Sequence, residues 1–268
     1  MAGVAIFDSG VGGLSIAQEI QQQIPALQLI FVSDNEAFPY GTKNEAELTS
    51  RVSEVAARII RQFQPDMLVI ACNTASTVTL PTLREQFELP IVGVVPAIKP
   101  AAQLSHNRCI GVLATPATIG RAYTQQLSED YASDCEVLKV GSSALVQQAE
   151  QKLAGKPADA AVIEAELAPF LAQNNLDILV LACTHFPLLN NEIEFFFKLN
   201  NHPVQLLDSG AAIARRVASL TTSLTASPIE ENKLAEPHIA AFTDLNGVPE
   251  ALINALHKRD FKRAVALN

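Results

Sequence analysis

Short apolar runs alternate along the chain with stretches in which apolar residues recur every three or four positions. The first kind has the length of a buried strand, and the second has the period of an amphipathic helix. VAIFDS at the start leads through GVGG into a helical pattern, LSIAQEIQQQI. LQLIFVSDN follows, then a helix across 45–62, then DMLVIAC, a further helical stretch and PIVGVVP. The order then repeats. CIGVLAT leads through PATIG into RAYTQQLSEDY, and CEVLKVGSS precedes a helix across 158–173. DILVLAC, another helical stretch and PVQLLDS close the second set. Alternation of this kind predicts an α/β fold with parallel strands covered on both faces.

Laying one half on the other pairs Ser9 with Thr115, Cys72 with Cys183, Asn73 with Thr184 and Thr74 with His185. The repeat lies in the elements rather than in residue identities. It predicts two similar α/β domains with mostly parallel sheets, related by a pseudo-twofold axis, with a cleft between them. The expected division is 1–97 plus 208–268 for the first domain and 98–207 for the second. In the tail, AAIARRVASL reads as a helix, TTSLTASPIEENK as a loop, IAAFTDL as one strand and PEALINALHKR as a last helix.

Composition narrows the class. At 268 residues and 49% hydrophobic, the chain can bury one large core or two small ones. A net charge of −9, with no basic cluster, argues against nucleic acid. No apolar stretch is long enough to span a bilayer, and MAGVAIFDSG reads as a strand and its turn rather than a signal peptide. Four cysteines without a CxxC pair read as cytosolic thiols, neither a disulfide framework nor a zinc site.

The chemistry concentrates where strands end. Asp66-to-Ser76 and Asp177-to-Leu188 share one local plan: an Asp, a short apolar run, a cysteine, then small polar residues. Parallel α/β sheets place ligands at their carboxyl ends, and a helix start beside a thiol lowers its pKa. Asp8, Ser9 and Gly10 close the first strand, and Gly12 and Gly13 open a helix whose N–H groups suit a carboxylate or phosphate. His185, two residues after Cys183, is placed to exchange a proton with it. Asp8 stands in the same relation to Cys72 if their strands are neighbours. Phe38–Gly41 (FPYG) reads as a turn, and Glu150 reads as a solvated helix charge.

The set FDSGVGG, PYG, ACNTAS and CTHFPL, in this order and spacing, resembles the glutamate racemase family over nearly the whole chain. The resemblance implies cofactor-independent interconversion of L- and D-glutamate for peptidoglycan synthesis, by a cytoplasmic homodimer. It implies Cys72 and Cys183 as the two acid/base thiols, with Asp8 assisting the first and His185 the second. It assigns glutamate binding to Asp8, Ser9, Tyr40, Gly41, Asn73, Thr74, Thr118, Glu150, Thr184 and His185. The chain departs from the family pattern at Ala182 (often Gly), at Phe186 (often Tyr) and in a helix before Glu150 without prolines. The competing readings are a racemase for aspartate or a hydantoin, an inert binding module for an acidic amino acid, and a thiol redox protein. The presence of both cysteines with Asp8 and His185 disfavours the inert module. Cysteines in separate domains disfavour the redox protein.

Overall fold

The computed structural model describes residues 3–224 and 237–268. Strands β1 (Val4–Asp8), β2 (Leu29–Ser33), β3 (Met67–Ile70) and β4 (Ile91–Gly93) alternate with helices α1 (Gly13–Gln23), α2 (Glu45–Phe63) and α3 (Asn73–Gln86). After α4 (Ile98–Leu104), strands β5 (Cys109–Ala114), β6 (Glu136–Gly141), β7 (Ile178–Leu181) and β8 (Gln205–Leu207) alternate with five helices. These are α5 (Pro116–Gly120), α6 (Ala122–Tyr131), α7 (Ala144–Leu153), α8 (Ala160–Leu167) and α9 (Asn190–Leu199). Helix α10 (Gly210–Leu224), β9 (His238–Phe242), α11 (Glu250–His257) and β10 (Phe261–Ala266) complete the described chain.

Two parallel sheets result. One has the order β10-β9-β2-β1-β3-β4 and the other β6-β5-β7-β8. The fold is therefore α/β with two parallel sheets, and the repeat is real at the level of topology, since β2-β1-β3-β4 and β6-β5-β7-β8 are the same order. Register carries the likeness further: Phe7 lies opposite Ile70 and Leu113 opposite Leu181. Each sheet is buried on both faces. In β1, Val4 and Ile6 join one apolar cluster while Ala5 and Phe7 join another, as the two-residue period of a strand requires. The second sheet likewise separates two clusters.

Helix α2 shows how local sequence builds these layers. Asn44 caps it by accepting the Glu47 N–H at 2.9 Å, and Glu45 and Glu47 place negative charge in the first turn. Leu48, Val52, Val55, Ala56 and Ile59 recur at helical spacing and are fully buried against the first sheet. Each buried Leu, Val or Ile contributes roughly 1.5–3 kcal/mol. The helix stops where Gln64 turns left-handed at φ 45°. Among the described residues, no helix is long and apolar enough to cross a membrane.

Three expectations need correction. The helix across 158–173 is α8 followed by a 3-10 turn, Ala168–Ala172, because Pro169 removes an N–H and crowds the preceding turn. The loop read from TTSLTASPIEENK is helical at its start, where α10 runs to Leu224; the remainder up to Lys233 lies outside the described residues. The tail supplies two strands rather than one. β9 pairs with β2 and β10 with β9, both in parallel. β10 escaped the pattern because it is an edge strand, FKRAVA, whose Lys262 and Arg263 are exposed.

The seam between β9 and β2 contains a titratable group. Buried His238 accepts the Leu29 N–H on Nδ1 at 3.2 Å. Burial holds its imidazole below the ordinary value, with Asp260 pulling the other way. A base whose folded-state pKa is depressed contributes stability above its unfolded pKa of about 6.5 and loses it as pH falls through the folded value. Thermal melts between pH 7.5 and 5 should therefore show wild type losing ground relative to His238→Asn, which keeps an acceptor but does not titrate. Parallel pH profiles would remove His238 from the acid response.

Candidate active site

Both sheets present their carboxyl ends to one small cleft, with a cavity of about 80 Å³. From the first sheet, Ser9, Tyr40, Gly41, Cys72, Asn73 and Thr74 line it; from the second come Cys183, Thr184 and His185. Asp8, Thr118 and Glu150 stand behind this wall and hold it. Thr115, Ser143 and Gln147 also line the cleft, as do Phe38 and Thr42. Sequence reasoning did not assign these to the site. Thr115 had a signal, its equivalence to Ser9 in the repeat. Ser143 follows β6 as Asn35 follows β2, so the loop after each second strand was the other place to look.

Cys72 caps α3, directly after the strand. It is 6% exposed, with Sγ 3.8 Å from Ser9 Oγ. The carboxylate of Asp8 accepts the Ser9 N–H at 2.6 Å on Oδ1 and the Thr184 hydroxyl at 2.8 Å on Oδ2. Burial, reinforced by Asp8, pushes the Cys72 thiol well above its ordinary range; the Ala75 N–H and the Ser9 hydroxyl pull it down with less effect. The expected lowering by the helix start is thus overturned at Cys72, because desolvation of a thiolate outweighs one N–H. Burial also raises the Asp8 carboxyl, against the pull of His185, Thr184 and Ser9.

On the other side, Cys183 Sγ lies 3.7 Å from His185 Nδ1, and His185 Nε2 lies 2.8 Å from Glu150 Oε1. Burial alone would depress His185, but its hydrogen bonds to Cys183 and Glu150 hold it well above the usual imidazole value. That places an imidazole of raised basicity 3.7 Å from the Cys183 sulfur. Glu150 is a partner in this chain rather than a solvated charge.

The GVGG turn serves this assembly. A Cβ at Gly10 would sit 2.1 Å from Glu150 Oε1, and one at Gly12 would sit 2.6 Å from both His185 Nδ1 and Thr184 Oγ1. The turn does receive a carboxylate, but the protein's own: Val11 N–H donates to Glu150 Oε1 at 2.8 Å. That corrects the reading of the turn as a nest for an external anion. A second seam joins the halves through three hydroxyls. Thr74 Oγ1 is 3.1 Å from Thr115 Oγ1 and 3.2 Å from Thr118 Oγ1, and the last two are 2.9 Å apart.

Tyr40 donates its hydroxyl to buried Asp34 at 2.6 Å, and Arg51 grips the same carboxylate with two N–H groups. That anchors the Tyr40–Gly41 wall from outside the cleft. None of the lining residues is Lys or Arg. An anion here meets hydroxyls, N–H groups and His185. The Oδ1 of Asn73 is buried and has no hydrogen-bond partner among the described residues, which leaves one acceptor for a cationic group.

The arrangement puts two cysteines at equivalent strand ends around one cavity, Cys72 beside Ser9 and Cys183 beside His185. Comparison with known proteins meets this geometry from outside. The Asp/Glu/Hydantoin racemase profile matches residues 12–217. A glutamate racemase of Pectobacterium atrosepticum is 46% identical over 231 residues, 86% of this chain and 80% of that one. One from Serratia proteamaculans is 44% identical over 262 residues, 97% of this chain and 88% of that one. The crystal structure of Escherichia coli glutamate racemase, with L-glutamate and the activator UDP-MurNAc-ala, superposes with a TM-score of 0.90 at 41% identity. It covers 99% of this chain and 97% of its own. With its strand order, its paired cysteines and a profile match over most of its length in agreement, the chain belongs to the Asp/Glu/Hydantoin racemase family.

Proposed function

We propose that the chain interconverts L- and D-glutamate by a two-thiol mechanism. One thiolate takes the Cα proton from one face, and the other thiol gives its S–H proton to the opposite face of the planar carbanion. Reversal of substrate hand reverses the roles. The observation that carries this reading is the placement of Cys72 and Cys183 at equivalent strand ends of two like-ordered sheets, lining one cavity.

In this reading Asp8 is the proton partner on the Cys72 side and His185 on the Cys183 side. Ser9, Thr74 and the main chain of Thr184, whose hydroxyl is committed to Asp8, face the carboxylate on which charge develops, because oriented donors stabilise an enolate-like anion. Asn73 Oδ1 accepts from the substrate ammonium, and the Tyr40–Gly41 wall meets the side-chain end. Thr118 and Glu150 act from behind, on Thr74 and His185. No cofactor enters this scheme.

The same proposal treats 1–97 plus 208–268 as one domain and 98–207 as the other, which the membership of the two sheets supports. It places the protein in the cytoplasm, supplying D-glutamate for peptidoglycan. Four cysteines, few for this length and without a CxxC pair, support a reducing compartment. It also takes the working form as a homodimer, for which exposed Phe195 and Leu199 on α9 offer apolar surface.

Circular dichroism of L-glutamate with purified protein and no added cofactor tests the activity. The signal should decay to zero, the equilibrium of two enantiomers of equal free energy, while L-aspartate stays optically active. A steady glutamate signal, or decay only after pyridoxal phosphate is added, would refute the proposal.

A further inference from the structure

We propose that Ser15 is a positioning residue for the second thiol, acting across the cleft through the backbone of Thr184; the inference rests on the two-thiol reading above. Ser15 lies in the first turn of α1, which is buried all round with Leu14, Ile16 and Ala17, and is 9% exposed. Its hydroxyl is 2.8 Å from the Gly12 carbonyl and 2.9 Å from the Thr184 carbonyl. A first-turn serine ordinarily returns its hydroxyl to its own helix. Here the hydroxyl is shared between the Gly12 carbonyl, which also accepts the Ser15 N–H at 3.0 Å, and the Thr184 carbonyl in the other half of the molecule.

Thr184 lies between Cys183 and His185. The turn they form is otherwise tied by Phe186 N–H to the Cys183 carbonyl (3.0 Å) and by Leu188 N–H to the His185 carbonyl (3.1 Å). Thr184 is gripped twice by the first half, its side chain by Asp8 and its main chain by Ser15. That main-chain carbonyl belongs to the Thr184–His185 peptide plane, whose orientation sets how the His185 ring meets the Cys183 sulfur. Without the hydroxyl that plane loses one of its ties across the cleft, and the Sγ-to-Nδ1 contact loosens. Small misplacements of a reacting group cost rate steeply.

The test uses glutamate of each hand deuterated at Cα. Ser15→Ala should lower kcat/KM by about threefold to tenfold, the worth of one hydrogen bond expressed as a rate. The fall must be equal in both directions, since the enantiomers have equal free energy. The isotope effects should split instead. In the direction where Cys183 removes deuterium, the effect on kcat/KM should rise, because that transfer has become more limiting. In the other direction it should shrink towards unity. The enantiomer that Cys183 deprotonates is identified by Cα exchange with D₂O in Cys72→Ser. Ser15→Cys, which keeps the volume and weakens the donor, should shift both effects in the same senses by less, and it decides the matter if Ser15→Ala does not fold. Wild-type isotope effects in a folded variant, or effects that move alike in both directions, would overturn the proposal. Failure of the two-thiol reading is separately visible in wild type, as deuterium carried from substrate Cα into product.

Discussion

Cys72→Ser and Cys183→Ser each lose racemisation in both directions, by 10²–10⁴-fold or more on the scale set by removal of a general acid or base. Each catalytic cycle uses both thiols, one as base and one as acid, so neither direction survives loss of either. A serine hydroxyl is close to the thiol in shape but stays un-ionised near neutral pH, so it cannot serve as the base, and the equal kcat/KM of the two directions carries the loss to both. Both cysteines are buried at strand ends in close-packed surroundings, so the small change leaves the folds of both sheets in place. A partial reaction should remain. In D₂O each variant should wash deuterium into the Cα of one enantiomer only, and the two variants should choose opposite enantiomers, because each retains the base on one face. Near-wild-type turnover in either variant, or exchange of both enantiomers by one, would end the two-thiol assignment.

His185→Asn and Asp8→Asn should each lower kcat by about 10²–10⁴-fold, unequally for the two enantiomers. His185 stands 3.7 Å from Cys183 Sγ, and its hydrogen bonds to Cys183 and Glu150 raise its imidazole. Asn cannot exchange a proton there. Asp8 stands behind Cys72 through Ser9, and its replacement by an amide removes the carboxylate while keeping the shape. The constraint on kcat/KM leaves the asymmetry to kcat and KM separately, so steady-state measurements from both sides are the check. Slight and equal changes for both enantiomers would reduce the two groups to packing.

Much of this was open to a reader of the sequence, for physical reasons that differ by element. Buried parallel strands write themselves as uninterrupted apolar runs, so DMLVIAC and DILVLAC were readable, and with them the repeat. A cysteine closing such a run is placed by the strand itself, so the relation between Cys72 and Cys183 needed no structure. Contacts that cross the cleft left no trace in local pattern. Glu150 has the spacing of a solvated helix charge, and only the approach of His185 and Val11 makes it a partner. The glycines of GVGG read as a turn, whereas the atoms nearest to a side chain at Gly10 and Gly12 belong to Glu150, His185 and Thr184, more than 130 positions away. β10 was missed for another reason, as an edge strand is written partly for solvent.

The shared strand order has a further consequence, concerning how such a protein could be assembled. Each half on its own would end in an open rim bearing a single thiol. Two copies of a half, joined about a twofold axis, would close the cavity with two identical thiols. Within one chain the copies are free to diverge while the frame stays symmetric, and here they have. The position of Asp8 corresponds to Ala114 in the second half, and the position of His185 corresponds to Thr74 in the first. The carboxylate came from one half and the imidazole from the other. Duplication within one polypeptide thus allows a left-right specialisation that a symmetric pair of separate chains, with every substitution made twice, could not reach.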